Sequence, residues 1–374
     1  MTSRPCHVAF LWDQSGDYHM DRAEAVACAL GERGRVSIIE ITTRSRVYDW
    51  PECRPSDQVS RITLFPGKLA EDVGELATAF ALNAAIRRAG IDQLFVAGYE
   101  HPARFALAVW QALKGRAPVI MLDSKFDDKP RHLRLELLKR FLLMPYRAGF
   151  ASGARAVAYM RFLGLKRRPI AVGYDTLSIE RMRTLAQGVA PPWRERPFLI
   201  VARMVPKKNI QTALRAFAAM PRTHRALRIC GDGPLRETLA AEIRDLGIAD
   251  RVVLLGSVSQ EVVAREMAGA LCLVLPSSEE QWGLVVNEAL ALGLPIIAGD
   301  NVGAKDLLIA NYVNGFILNC DDIHAWALAM HALDTDEALW RRFVEGSHDR
   351  AHDADSARFA DAVLELLGLQ GSIP

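Results

Sequence analysis

Short continuous apolar runs alternate along this chain with stretches whose apolar residues recur every three or four positions. Residues 6–11, 36–41, 93–97 and 118–122 read as buried strands, and 21–33, 75–88 and 103–114 as the helices between them. Strands of this kind separated by amphipathic helices predict a parallel sheet covered on both faces. Residues 44–65 carry mixed signals and read as loops with one strand at 61–65. A helix is expected over 131–150, with Leu133, Leu137, Phe141 and Met144 on one face, followed by a strand at 169–172. Two adjacent prolines, Pro191 and Pro192, in a mixed-charge stretch mark a linker over 187–197.

The alternation then restarts. Residues 198–202, 227–230, 252–255, 271–275 and 295–298 read as strands. Ile210, Ala213, Leu214 and Phe217 form one helical stripe, with Asn209 expected as its N-cap. Leu235, Leu239, Ile243 and Leu246 form another, closed by Gly247. Helices over 323–333, 337–344 and 356–367 end the chain. The expected organisation is therefore two doubly wound α/β domains, over 1–186 and 197–354.

The stretch from Pro276 to Ala289 carries the most chemistry. The 271–275 strand feeds a helix expected from Trp282 to Gly293, with Glu280 just before it and Glu288 inside it. The start of a helix presents unpaired backbone N–H groups and a positive dipole end, so it can hold an anion such as a phosphate. A carboxylate pair beside such a site suits a ligand with both phosphates and hydroxyls, as in a nucleotide sugar. Taken alone, two glutamates at this spacing are surface charges. Three further features follow other strands of the same half: Arg203 and Lys208, the turn Gly231-Asp232-Gly233-Pro234, and Gly256-Ser257-Val258. In an open parallel sheet all these loops fall on the carboxyl edge, where ligands bind. There Arg203 and Lys208 can reach a diphosphate.

Met204-Val205-Pro206-Lys207-Lys208-Asn209, the Gly-Asp-Gly-Pro turn, the Glu-x7-Glu spacing and Asn314-Gly315-Phe316 resemble the C-terminal half of the family 4 retaining glycosyltransferases of GT-B fold. Ser152-Gly153, Leu163-Gly164 and Gly173-Tyr174-Asp175 are similar to a subset of that family acting in polysaccharide or glycoconjugate assembly. The resemblance implies two domains facing each other across a cleft, the N-terminal one binding the acceptor, with the 355–374 helix packing back on that N-terminal domain. It implies a nucleotide-sugar donor, UDP before GDP, a glycan, lipid-linked or small-molecule acceptor, no cofactor, and retention without a metal. Arg203 and Lys208 would hold the diphosphate, Glu280 the sugar hydroxyls and Glu288 the ribose, with Gly231, Gly233, Gly256, Ser257, Val258, Trp282, Gly283, Leu284 and Val285 lining the donor site. His101 stands about one residue out of register from a histidine the family often places in the cleft; it reads equally as a donor-sugar contact or a helix-terminus residue. Gly16, Asp17, Tyr18, Asp123 and Lys125 are acceptor-side candidates. Two positions depart from the family pattern: Ala202 stands for the usual Gly before the Arg, and Gln281 for the usual Gly after the first Glu.

Composition narrows the alternatives. The net charge of +2 gives no case for nucleic acid. Six scattered cysteines show no metal spacing and read as reduced thiols of a cytoplasmic protein. No run approaches the roughly 18 apolar residues of a spanning helix. Arg131, Arg134, Lys139, Arg140 and Arg147 make the 131–150 segment basic. It reads as a solvated helix packed on the sheet, or as a peripheral contact with anionic lipid. A nucleotide-sugar epimerase shares the architecture, and a non-catalytic sugar-nucleotide binder shares the site. A dinucleotide oxidoreductase is disfavoured because no third glycine completes the fingerprint after Gly233.

Overall fold

The structure, a computed structural model, describes residues 5–44, 52–128, 130–188, 190–221 and 223–369. It divides into two compact units: residues 1–126, 130–178 and 356–374 form unit 1, and 127–129 with 179–355 form unit 2. The division falls at Ser178, so the Ile179–Leu185 helix, expected in the first domain, belongs to unit 2.

Unit 1 is a seven-stranded parallel sheet of order β3-β2-β1-β4-β5-β6-β7. Its strands are β1 (Cys6–Trp12), β2 (Gly34–Arg44), β3 (Val59–Leu69), β4 (Gln93–Ala97), β5 (Val119–Leu122), β6 (Ala148–Ala151) and β7 (Ile170–Val172). Phe10, Phe95, Phe150 and Phe359 pack one face, and Leu11, Val96, Ile120 and Tyr146 the other. The Ser356–Leu367 helix lies in this unit, with the Phe359 ring 4.7 Å from that of Phe150 and 5.2 Å from that of Phe10. Gly173 has a positive φ, and a Cβ there would meet the Arg358 carbonyl at 3.0 Å, so glycine lets this helix close on the sheet.

Unit 2 is a six-stranded parallel sheet of order β10-β9-β8-β11-β12-β13. The strands are β8 (Phe198–Val201), β9 (Leu227–Cys230), β10 (Val252–Gly256), β11 (Cys272–Leu275), β12 (Ile296–Gly299) and β13 (Gly315–Leu318). Its core runs from Phe198 and Phe217 to Trp326 and Phe343, all fully buried.

Several expectations are corrected. The expected 131–150 helix ends at Leu142, and its last residues form β6 instead, because Pro145 interrupts the ladder and the short run Ala148–Ala151 is wholly buried. β3 is 11 residues long against an expected five; its expected loop neighbourhood falls partly at 45–51, outside the described residues. The first helix starts at Asp17, earlier than expected. β13 and the Gln260–Gly269 helix had no strong pattern of their own. Asn209 does not cap with its side chain: it takes the left-handed conformation, φ 48°, and its Nδ2 donates to the Cys320 carbonyl at 3.2 Å. All six thiols are free, and Cys28 is exposed.

Candidate functional site

In unit 2 the chain runs from β8 out through β9 to β10, then returns to β11 on the other side of β8 and continues outward. The carboxyl ends of β8 and β11 therefore flank the point where strand order reverses, the place where open α/β sheets bind ligands. Arg203 and Lys208 follow β8; Glu280 follows β11. The sheet brings them together: Lys208 Nζ donates to Glu280 Oε2 in a largely buried ion pair. Ser277 Oγ, fully buried, donates to the same carboxylate oxygen at 3.3 Å. Arg203 is exposed on the same loop.

Backbone contacts hold these loops. The Ser278 and Glu279 amides donate to the Lys207 carbonyl at 3.0 and 3.4 Å, tying the Glu280 loop to the turn that carries Lys208. The Gly303 amide donates to the Glu280 carbonyl at 3.1 Å, and Asn301 Nδ2 to the Ser278 carbonyl at 2.9 Å. The Met204 amide donates to the Asp232 carbonyl at 2.8 Å, and the Leu235 amide to the Met204 carbonyl at 3.0 Å. Here glycine is required by space: a Cβ on Gly231 would lie 2.0 Å from the Ala202 carbonyl oxygen, and one on Gly233 2.6 Å from that of Met204. The Gly231–Pro234 turn thus clamps the Arg203 loop by close backbone approach. Gly256 joins through the Gly231 amide, which donates to its carbonyl at 2.8 Å, and Ser257 is exposed beyond it, beside half-buried Val258.

The Leu284–Ala291 helix opens after Gly283, whose φ of 101° puts it in a conformation that favours glycine. Gly283, Leu284 and Val285 are half-exposed at this start. Glu288 is buried one turn further in, beside the helix's inward residues. Trp282 is placed differently from a ligand-lining ring: its indole is buried and donates to Asn287 Oδ1 at 2.9 Å, so it braces the helix start. Ser277, Asn287 and Asn301 are site-building residues that the motifs did not single out, since serine and asparagine near turns carry no distinctive spacing.

In unit 1 the corresponding reversal lies between β1 and β4. His101 precedes the Pro102–Leu113 helix there, half-exposed, with Nδ1 3.1 Å from Glu75 and Nε2 4.0 Å from Asp13. Burial pushes the Glu75 carboxyl up, but the Ala103 amide and His101 outweigh it and hold it below the usual range. Arg104, almost fully buried, pairs with Asp13. The acceptor-side candidates differ in exposure. Gly16 is buried at a helix start, and Asp17 Oδ1 accepts the Arg54 amide at 3.0 Å. Lys125, another acceptor-side candidate, is fully buried. Tyr18 and Asp123 are half-buried.

His19, on the same edge, is buried against Trp12 at 4.5 Å, and the Gly16 amide donates to its Nδ1 at 3.0 Å. Burial, and then the nearby Arg22 charge, hold its imidazole well below its usual value of 6.5. The unfolded chain therefore takes up a proton as pH falls through about 6.5 while the folded one does not, and stability drops with pH across that window. The thermal midpoint is expected to fall between about pH 7 and pH 5, with a shallower slope in His19→Gln. Equal slopes in the two proteins would show that His19 does not titrate between the states.

The paired parallel sheets make this a GT-B architecture. Sucrose-phosphate synthase from Thermosynechococcus elongatus superposes with a TM-score of 0.76 over 97% of this chain and 98% of its own, at 19% identity. Anabaena HepE, solved in complex with UDP, gives 0.72 over 97% and 99%, at 18% identity. Residues 185–350, all within unit 2, match the family model for glycosyl transferases group 1. An exopolysaccharide phosphotransferase of Streptomyces coelicolor is 36% identical over 165 residues, 43% of this chain and 17% of that protein. The chain spans 17% to 40% of the length of the first curated relatives it matches. These matches support a glycosyltransferase.

Proposed function

We propose that the chain transfers a sugar, with retention at the anomeric carbon, from a nucleotide-sugar donor held by unit 2 to a glycan, lipid-linked or small-molecule acceptor. The observation that carries this reading is the Lys208–Glu280 pair at the β8/β11 reversal, beside a glycine-opened helix start. A diphosphate arriving there meets Arg203, Lys208 and the amides of Gly283 and Leu284. Its anionic oxygens compete for Lys208 and release the Glu280 carboxylate toward the sugar hydroxyls. Buried Glu288 serves the ribose. As the bond between the anomeric carbon and the leaving phosphate oxygen breaks, its electron pair stays on the diphosphate, where the cations and amides stabilise it. The acceptor oxygen bonds to the same carbon and its proton passes to the departing phosphate. UDP is favoured over GDP, in keeping with the UDP bound to HepE.

A thermal-shift screen against UDP, GDP and their sugars tests the donor. A true ligand at about a hundred times its Kd adds about 2.7 kcal/mol of stability. No shift with any nucleotide or nucleotide sugar overturns the reading. Turnover is expected to persist in excess EDTA, because side chains and a helix start supply the positive charge. Abolition by chelator with rescue by Mg²⁺ or Mn²⁺ would overturn the metal-independent mechanism.

A further inference from the structure

The Leu133–Leu142 helix of unit 1 is amphipathic the wrong way round for a helix packed on a sheet. Its one buried residue is Glu136, which accepts from Tyr159 Oη at 2.5 Å, Lys139 Nζ at 2.7 Å and Arg131 Nη1 at 3.5 Å. Burial pushes this carboxyl up, but Lys139 and Tyr159 outweigh it and keep it below its usual range, so it anchors the helix as a carboxylate. With the polar side fastened inward, the apolar side turns to water. Leu133, Leu138, Phe141 and Met144 are each about 60% exposed, and Leu135 56%. The apolar stripe of the Ile210–Ala219 helix, by contrast, is buried throughout. Contiguous exposed leucines and aromatics on a soluble protein mark an interaction surface.

Charge identifies the partner. No Asp or Glu stands between Glu136 and Asp175, while Lys or Arg occupies eight positions there. Arg134, Arg140, Arg161, Lys166 and Arg167 are exposed. A groove of about 430 Å³ lies within this surface, lined by Leu137, Phe141, Met144 and Leu163 together with Arg140 and Arg168. Apolar side chains interleaved with cations suit an interface of acyl chains and anionic headgroups. A second copy of the chain would set this basic rim against itself.

We propose that this face docks unit 1 on an anionic lipid bilayer. The inference is independent of the nucleotide chemistry. The test is flotation of the full chain with phosphatidylcholine vesicles, with and without 30% phosphatidylglycerol as the probe lipid, about 0.1 M salt being the reference. Binding is expected only with the anionic vesicles, weakening as salt rises. Leu138→Glu with Phe141→Glu is expected to lower it at least tenfold, since each change puts a charge where an apolar side chain would be buried among acyl chains. Arg134→Gln and Arg140→Gln are each expected to lower it about fivefold. All four positions are exposed, so the variants keep the wild-type circular dichroism. Failure of the folded wild type to float with anionic vesicles overturns the proposal. So does binding unaffected by the apolar pair, or a dimer in light scattering that the Leu138→Glu, Phe141→Glu variant abolishes while no vesicle binding is seen.

Discussion

A Lys208→Ala variant is expected to fold and bind donor yet lose on the order of 10²–10³ in maximal rate, the usual effect of removing one donor to developing negative charge. The charge it meets grows as the leaving diphosphate departs, so its loss lowers turnover more than it weakens ground-state binding. In the free protein Lys208 neutralises Glu280. Removing it leaves a largely buried carboxylate that keeps the Ser277 hydroxyl as a donor, at a stability cost of about 1–3 kcal/mol. Circular dichroism and a thermal midpoint separate that cost from the chemical one. Arg203→Lys is also expected to be poor, because an ammonium cannot reproduce a two-pronged phosphate contact. A folded Lys208→Ala protein with near wild-type maximal rate, measured at saturating donor and acceptor, would mean that the diphosphate sits elsewhere.

The two glutamates are expected to separate in calorimetry with free nucleotide. Glu288→Ala should weaken UDP or GDP binding by about 1.5–3 kcal/mol, roughly ten- to a hundredfold, because ribose hydroxyls lose a charged acceptor. Glu280→Ala should bind free nucleotide at least as well as wild type, since Lys208 no longer has to leave a carboxylate to meet phosphate, while transfer collapses. The structure sharpens this contrast: Glu280 is the residue that holds Lys208, whereas Glu288 lies buried in the following helix. The opposite pattern, nucleotide affinity lost with Glu280→Ala and kept with Glu288→Ala, would exchange their roles.

Legibility followed burial. Central strands such as β1, β5 and β11 are buried along nearly their whole length, so they appear in the sequence as continuous apolar runs. The Ile210–Ala219 helix carries its stripe toward the core and was equally plain. Where a pattern had two sources it misled. The leucine spacing after Arg131 reads as a core-facing helix, but the same spacing serves a helix whose inward side is fixed by Glu136. Asn209 has the chemistry of an N-cap, yet the neighbouring Cys320 carbonyl takes its amide. Trp282 lay in the donor motif, but the partner that turns it inward, Asn287, is one helical turn on.

The sequence by itself determined the alternation of strand and helix, the restart after the Pro191-Pro192 linker, and the loops on which Arg203, Lys208 and Glu280 stand. Those follow from local periodicity and turn residues, which act over a few positions. Only the tertiary structure decided which of those loops meet. Lys208 and Glu280 are 72 positions apart and touch because β11 returns to lie beside β8 rather than beyond β10. That choice is made by sheet order and core packing, and no spacing in the chain encodes it. The outward turn of Leu138 and Phe141 is of the same kind: it depends on Tyr159 and Arg131 reaching Glu136 from outside the helix.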